Sequence, residues 1–170
     1  MADRQSQPDL EIPATAPVQR YRTSSDMHPA ALYTLTDIPA DEFNELQRLC
    51  ESRTGVGHGK AVKLTPRARF IGEPLRAVFN YHPELDRQEE FDAIMFIVAT
   101  GRNWRENGVL LVSLDAADPD DEECRTNMFR IQPEMSGGTV VGIQLGNTDG
   151  EESKETDWLT PEGEERARRG

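Results

Sequence analysis

Cysteine is scarce in this 170-residue chain: Cys50 and Cys124 are the whole complement, too few for a disulfide framework. A reducing compartment, cytoplasmic or nuclear, is therefore expected. Long apolar runs are missing as well. The longest, Ala93 to Ala99, is far short of the roughly 20 residues needed to cross a bilayer as a helix. No apolar segment follows Met1, so no secretory signal is expected. Positive charge is also in short supply, with 19 Lys and Arg against 31 Asp and Glu and a formal net charge of −12. Such a surface repels phosphate backbones and anionic lipid, so neither nucleic acid nor membrane is expected as a partner. Hydrophobic residues make up only 36% of the chain, which is low for a chain that is globular throughout.

The shortage is uneven, and this suggests the boundaries. Residues 1–30 hold four prolines, Pro8, Pro13, Pro17 and Pro29, and their apolar residues follow neither a helical nor a strand period. They read as a disordered N-terminal tail. Residues 148–170 carry eight acids and four bases with few large apolar side chains, Trp158 and Leu159 excepted. They read as an acidic, mostly disordered C-terminal tail. Residues 31–147 remain as a single domain, long enough to close one core.

Within that domain Ala31 to Thr36 reads as a short strand. The acids of Asp41-Glu42 after Pro39 suit the start of a helix. Phe43, Leu46, Leu49 and Cys50 give that helix an apolar face as far as about Arg53. A glycine-rich loop follows at Thr54 to Lys60, with Ala61 to Thr65 as a possible strand. A second helix is expected over Glu73 to Asn80, ended by His82-Pro83. Phe91 to Ala99 and Val109 to Asp115 read as buried strands. The Asn107-Gly108 turn between them suggests antiparallel neighbours. Asn127 to Gln132 and Thr139 to Leu145 alternate and read as further strands. The segregation of helices from strands predicts an α+β fold: a mostly antiparallel sheet of four to six strands packed with about two helices.

The segments Asp92-Ala-Ile-Met-Phe-Ile-Val98, Val109-Leu-Leu-Val-Ser-Leu-Asp115, Phe129-Arg-Ile-Gln-Pro133 and Asn147-Thr-Asp149-Gly-Glu151-Glu152 occur in this order. In this the chain resembles an uncharacterised family of small acidic bacterial and fungal proteins, known only as a domain of unknown function. The resemblance covers about residues 32–152 and implies no activity and no catalytic residue. Gly150 stands where members of that family often carry an aromatic residue, which argues against a packed C-terminal helix.

Four features invite a functional reading. Gly57, His58, Gly59 and Lys60 form a candidate anion loop. Thr54 and Ala61 stand where a phosphate-binding P-loop needs Gly and Ser or Thr, and the loop follows a helix rather than a strand, so a flexible connector is the simpler reading. Lys60 to Arg76 holds five basic residues and only Glu73 against them, either a solvated edge or a docking patch for an acidic partner. Asp115, Asp118, Asp120, Asp121, Glu122 and Glu123 lack the spacing and glycine of a calcium loop and read as solvated. Trp104 between Arg102 and Arg105 is a candidate interaction patch, since these residue types are enriched at binding hot spots. The competing reading is a tryptophan closing the edge of the core.

Cys50, His58, His82 and Cys124 lack the close pairing of zinc ligands, so no metal is expected, and no cofactor. There is no Gly-x-Ser-x-Gly nucleophile elbow. Two functions compete. One is a non-catalytic interaction or accessory protein with an unidentified protein partner. The other is a small enzyme or ligand-binding accessory of a biosynthetic pathway, with His58, His82 and Lys60 converging on a pocket.

Overall fold

Ala30–Thr34 and Met95–Ala99 are strands in which all five residues are buried. Unbroken apolar runs of this kind sit in the middle of a sheet covered on both sides. The computed structural model describes residues 8–17, 27–86, 90–115, 122–146 and 152–153. The elements run β1 (Thr15–Pro17), β2 (Ala30–Thr34), α1 (Ala40–Glu51), β3 (Val62–Arg69), α2 (Leu75–Asp86), β4 (Met95–Ala99), α3 (Trp104–Asn107), β5 (Val109–Asp115), β6 (Glu123–Ile131) and α4 (Pro133–Gln144).

The six strands make one sheet in the order β1-β6-β5-β4-β2-β3. The class is α+β as expected, but the sheet is mixed rather than mostly antiparallel. β2 lies between β3 and β4 and is parallel to both. The remaining pairs are antiparallel, including the β4–β5 pair with Ile97 opposite Leu111. The parallel pairs require helical crossovers, which reading strands and helices as segregated overlooked. The β2–α1–β3 crossover runs one way along the sheet, and β3–α2–β4 runs back over β2. Crossovers of one hand running in opposite directions put their helices on opposite faces. Accordingly α1 contributes Phe43, Leu46 and Cys50 to one core, and α2 contributes Leu75, Val78 and Phe79 to the other.

Among the described residues there are four helices rather than about two. Thr139 to Leu145, expected as a strand, belongs mainly to α4. Pro133 at its first position and Glu134 in its first turn are helix-start signals. Gly137 lies within α4 where the helix meets α1. A Cβ there would stand 2.2 Å from the Cys50 carbonyl oxygen. α2 also continues past the expected stop, with Pro83 inside it.

The N-terminal boundary is corrected too. Within the expected tail, residues 8–17 lie against the core face that α2 covers. Leu10 and Ile12 pack there and Ala16 is buried. The Leu75 N–H donates to the Asp9 carbonyl at 2.8 Å. β1 pairs antiparallel with β6, Ala16 opposite Cys124. Proline is tolerated on this edge, where one side of the strand makes no ladder bonds. Asp118, Asp120, Asp121, Trp158, Leu159 and the C-terminal tail other than Glu152 and Ser153 lie outside the described residues. Among the described residues no helix is long and apolar enough to cross a membrane.

Candidate functional site

The glycine loop is folded around an anion supplied by the chain itself. Glu51 ends α1, where the helix dipole disfavours a negative charge. Its carboxylate is nonetheless buried, because the loop turns its amides inward. Gly59 N–H donates to Oε2 at 3.1 Å, and Ala61 and Val62 N–H donate to Oε1 at 3.2 Å each. His58 Nδ1 stands 3.2 Å from Oε2, and its side chain is 73% exposed. Gly59 holds a φ of 72°, which glycine adopts without strain. Of the candidate anion loop, Gly59 and His58 thus serve Glu51, and Lys60 points to solvent. Of the four residues expected to meet an external anion, Gly59 gives its amide to this carboxylate, and the other two amides come from Ala61 and Val62 just beyond the loop. Glu51 is the residue that sequence reasoning missed. An acid at the unfavourable end of a helix, just before a glycine loop, was the available signal. Beside the loop lies a depression of about 330 Å³ lined by Asp41, Asn44, Gln47, Arg48 and His58.

The basic run is largely neutralised within the chain. Arg67 pairs with Glu73 at 2.6 Å, Arg69 with Asp37 at 3.5 Å and Lys63 with Glu90 at 3.8 Å. These residues lie on or beside β3, the sheet edge, whose pairing is broken between Leu32 and Thr34. A bulged, proline-bearing, basic strand resists edge-to-edge pairing, which is a structural role.

Trp104 is not on the surface. The four-residue helix α3 turns its ring fully into the core beside Val109 and Ile131. The flanking arginines stay outside: Arg105 lies over the indole at 4.1 Å and pairs with Glu45 at 2.6 Å, and Arg102 Nε donates to the Asp37 carbonyl at 3.0 Å. As an exposed anchor, the Arg102, Trp104, Arg105 patch is therefore corrected: the indole is buried in the core and only the arginines reach the surface.

His82, on α2, is sealed in the core. Its Nε2 lies 2.7 Å from the Asp92 carbonyl, which can only accept, so Nε2 carries the proton. Nδ1 then accepts from the Tyr33 hydroxyl at 3.0 Å. Burial favours the neutral ring and pushes the His82 pKa down to about 4, against the opposing hydrogen bond to Asp92. The Tyr33 hydroxyl is pushed above its usual range, mainly by burial. Asp92 is raised by burial too, although Gln144 Nε2 donates to Oδ2 at 2.8 Å and the Ile94 and Met95 amides donate to Oδ1. Phe96 lies 4.9 Å from the His82 ring, centroid to centroid. This is an internal polar network with every named partner satisfied. The enzyme reading needed His58, His82 and Lys60 together. His82 is instead buried on the α2 side, and His58 and Lys60 are exposed in the loop after α1. Burial also pushes the Cys50 thiol up to about 12, which keeps it protonated and inert.

A second concavity was not anticipated. It lies where β4 ends and β5 begins, encloses about 270 Å³, and is lined by Pro8, Leu10, Thr100, Gly101, Trp104, Asn107, Gly108 and Arg130. Three stretches distant in sequence build it. Residues 8–10 come from the N-terminal segment, Thr100 and Gly101 from the end of β4, Trp104 to Gly108 from α3 and its cap, and Arg130 from β6. Arg130 stands opposite Leu110 and donates Nη1 to Thr100 Oγ1 at 3.1 Å. Gly108 has a φ of 73°, which lets the chain reverse from α3 into β5. Trp104 Nε1 is buried and has no hydrogen-bond partner among the described residues. Such a donor costs about 1–3 kcal/mol, and exceptions of this kind call for a reason. No single stretch of sequence could have shown this site.

No protein-family model, no curated protein and no solved structure matches this chain.

Proposed function

We propose that this is a non-catalytic, ligand-binding accessory protein that holds a metabolite-sized molecule in the cavity at the end of β4. The observation that carries this reading is the composition of the cavity wall. In a chain with 31 acids, the described wall contains none, and it combines Arg130, Thr100 and Asn107 with the apolar Pro8, Leu10 and Trp104. A few polar groups converging on a partly apolar concavity is the usual make-up of a small-molecule site. Two-dimensional amide NMR of the full chain against a mixed small-molecule library tests it. Binding shifts the amides of Thr100, Gly101, Asn107 and Gly108 together. A library that leaves all four unmoved dismisses the reading.

Docking of a protein partner is the second reading, and α4 is the observation in its favour. Met135 is 43% and Leu145 58% exposed. With Gly138 and Gly142 they share one helix face, and no charged residue follows Glu134 in the helix. A pull-down that enriches one protein with wild type and loses it with Leu145→Glu supports this reading. Equal recovery by both dismisses it.

A further inference from the structure

We infer that the uncharged outer face of α4 is the docking site of the chain's own C-terminal segment, with Trp158 and Leu159 seated between Met135 and Leu145. This goes beyond the cavity reading and does not depend on it. A partner protein that used α4 would compete with the chain itself for that face. Four observations select this occupant.

The face comes first. Met135 is 43% and Leu145 58% exposed, two of the few large apolar side chains left open to water. Gly138 and Gly142 lie between them on the same side of the helix, and a Cβ at Gly138 would meet open space. The result is a shallow notch walled by a thioether and an isobutyl group. A flat indole fits such a notch, and methionine sulfur favours an aromatic neighbour.

Size decides between a tethered and a free occupant. The helix has 12 residues, so its outer face is about 18 Å long and about 10 Å wide, a footprint of about 180 Å². Separate proteins need about 800 Å² each for stable association. A second copy is opposed further by a net charge of −12 on each chain. A tethered segment meets the face at an effective concentration of order millimolar, so a small footprint suffices.

Reach and composition name the segment. Trp158 lies 14 residues beyond Gln144. At roughly 3.3 Å per residue the chain can span up to about 46 Å, more than enough to double back along α4. Ser153 is 7% exposed, so the chain beyond α4 has returned to the protein by that point. Trp158 is only five residues further, within roughly 17 Å. Beyond Gly146, Trp158 and Leu159 are the only large apolar side chains in the sequence.

Charge fixes one end. Arg53 Nη1 lies 3.3 Å from Met135 Sδ, and Arg53 makes no ion pair among the described residues. Asp157, next to Trp158, supplies the matching charge beside Met135.

The test uses the full chain. Nuclear Overhauser contacts are measured from the Trp158 indole, assigned by its loss in Trp158→Phe, to the methyl groups of Met135 and Leu145. The expected result is contact with both, unchanged over a tenfold range of protein concentration. Trp104 is fully buried, so acrylamide quenching of tryptophan fluorescence reports chiefly on Trp158. Leu145→Glu should raise that quenching at least threefold. Leu145 is exposed, so the variant is expected to fold; if it does not, the wild-type contacts decide alone. An indole with no contact to α4 overturns the inference, as does quenching left unchanged by Leu145→Glu in a folded variant. Contacts that appear only as concentration rises, together with a dimer in sedimentation, give the face to a second copy and overturn it too.

Discussion

Acidification from pH 7 to pH 4 places a specific demand on His82. In the folded chain the ring is sealed between Tyr33, Phe96 and the Asp92 carbonyl, and its pKa is lowered from 6.5 to about 4. In the unfolded chain the ring titrates at its ordinary value. Between those two pH values the unfolded chain holds a proton that the folded chain refuses, so stability falls as pH falls. Above pH 6.5 neither state holds the proton, and below about pH 4 both do. Each unit of difference is worth about 1.4 kcal/mol, so the whole window amounts to about 3 kcal/mol. Asp92 acts in the opposite sense. Its raised folded pKa lets the folded chain take up a proton before the unfolded one, which offsets part of the loss near the lower end. The comparison variant is His82→Gln. Its amide N–H can donate to the Asp92 carbonyl, its oxygen can accept from Tyr33, and it does not titrate. Urea unfolding of both proteins from pH 7 to pH 4 isolates the His82 contribution. The difference between the two stabilities should change by about 3 kcal/mol across the window. Parallel curves for wild type and variant would refute the argument.

Three further perturbations test the packing. Glu51→Gln removes the charge that the Gly59, Ala61 and Val62 amides hold; it should cost about 1–3 kcal/mol in urea unfolding and speed hydrogen exchange at those amides. Gly137→Ala drives a methyl into the Cys50 carbonyl and Thr54 and should destabilise by about 1–3 kcal/mol. Gly138→Ala in the same helix meets open space and should stabilise by about 0.5–1 kcal/mol, a reversal of sign that calorimetry resolves. Trp104→Ala should cost about 3–5 kcal/mol as a core truncation; an unchanged melting temperature would return the indole to the surface.

What could be read from the sequence divides along a physical line. β4 and β5 were legible because each is a run of apolar residues separated by an Asn107-Gly108 reversal. α1 was legible because Phe43, Leu46 and Cys50 recur at helical spacing. α4 was not, because after Glu134 it carries no charge to mark a solvent face, and Val141, Ile143 and Leu145 mimic strand alternation. β1 was hidden for a different reason. Its partner strand lies more than a hundred residues away, and three of its ten described neighbours and members are proline. Trp104 misled because the charge on either side of it says nothing about which way a single helical turn points each side chain. The anion loop was half legible. Its glycines announced inward-facing amides, but their occupant, Glu51, sits on another element. The cavity at the end of β4 draws on residues from Pro8 to Arg130, and only the fold brings them together.

A crystal structure of the full chain soaked with a mixed small-molecule library puts the central claim to its most direct test. The account predicts density for one small molecule in the cavity at the end of β4, within reach of Thr100 and Asn107. A cavity left to water, with every library member absent or bound elsewhere, would contradict it.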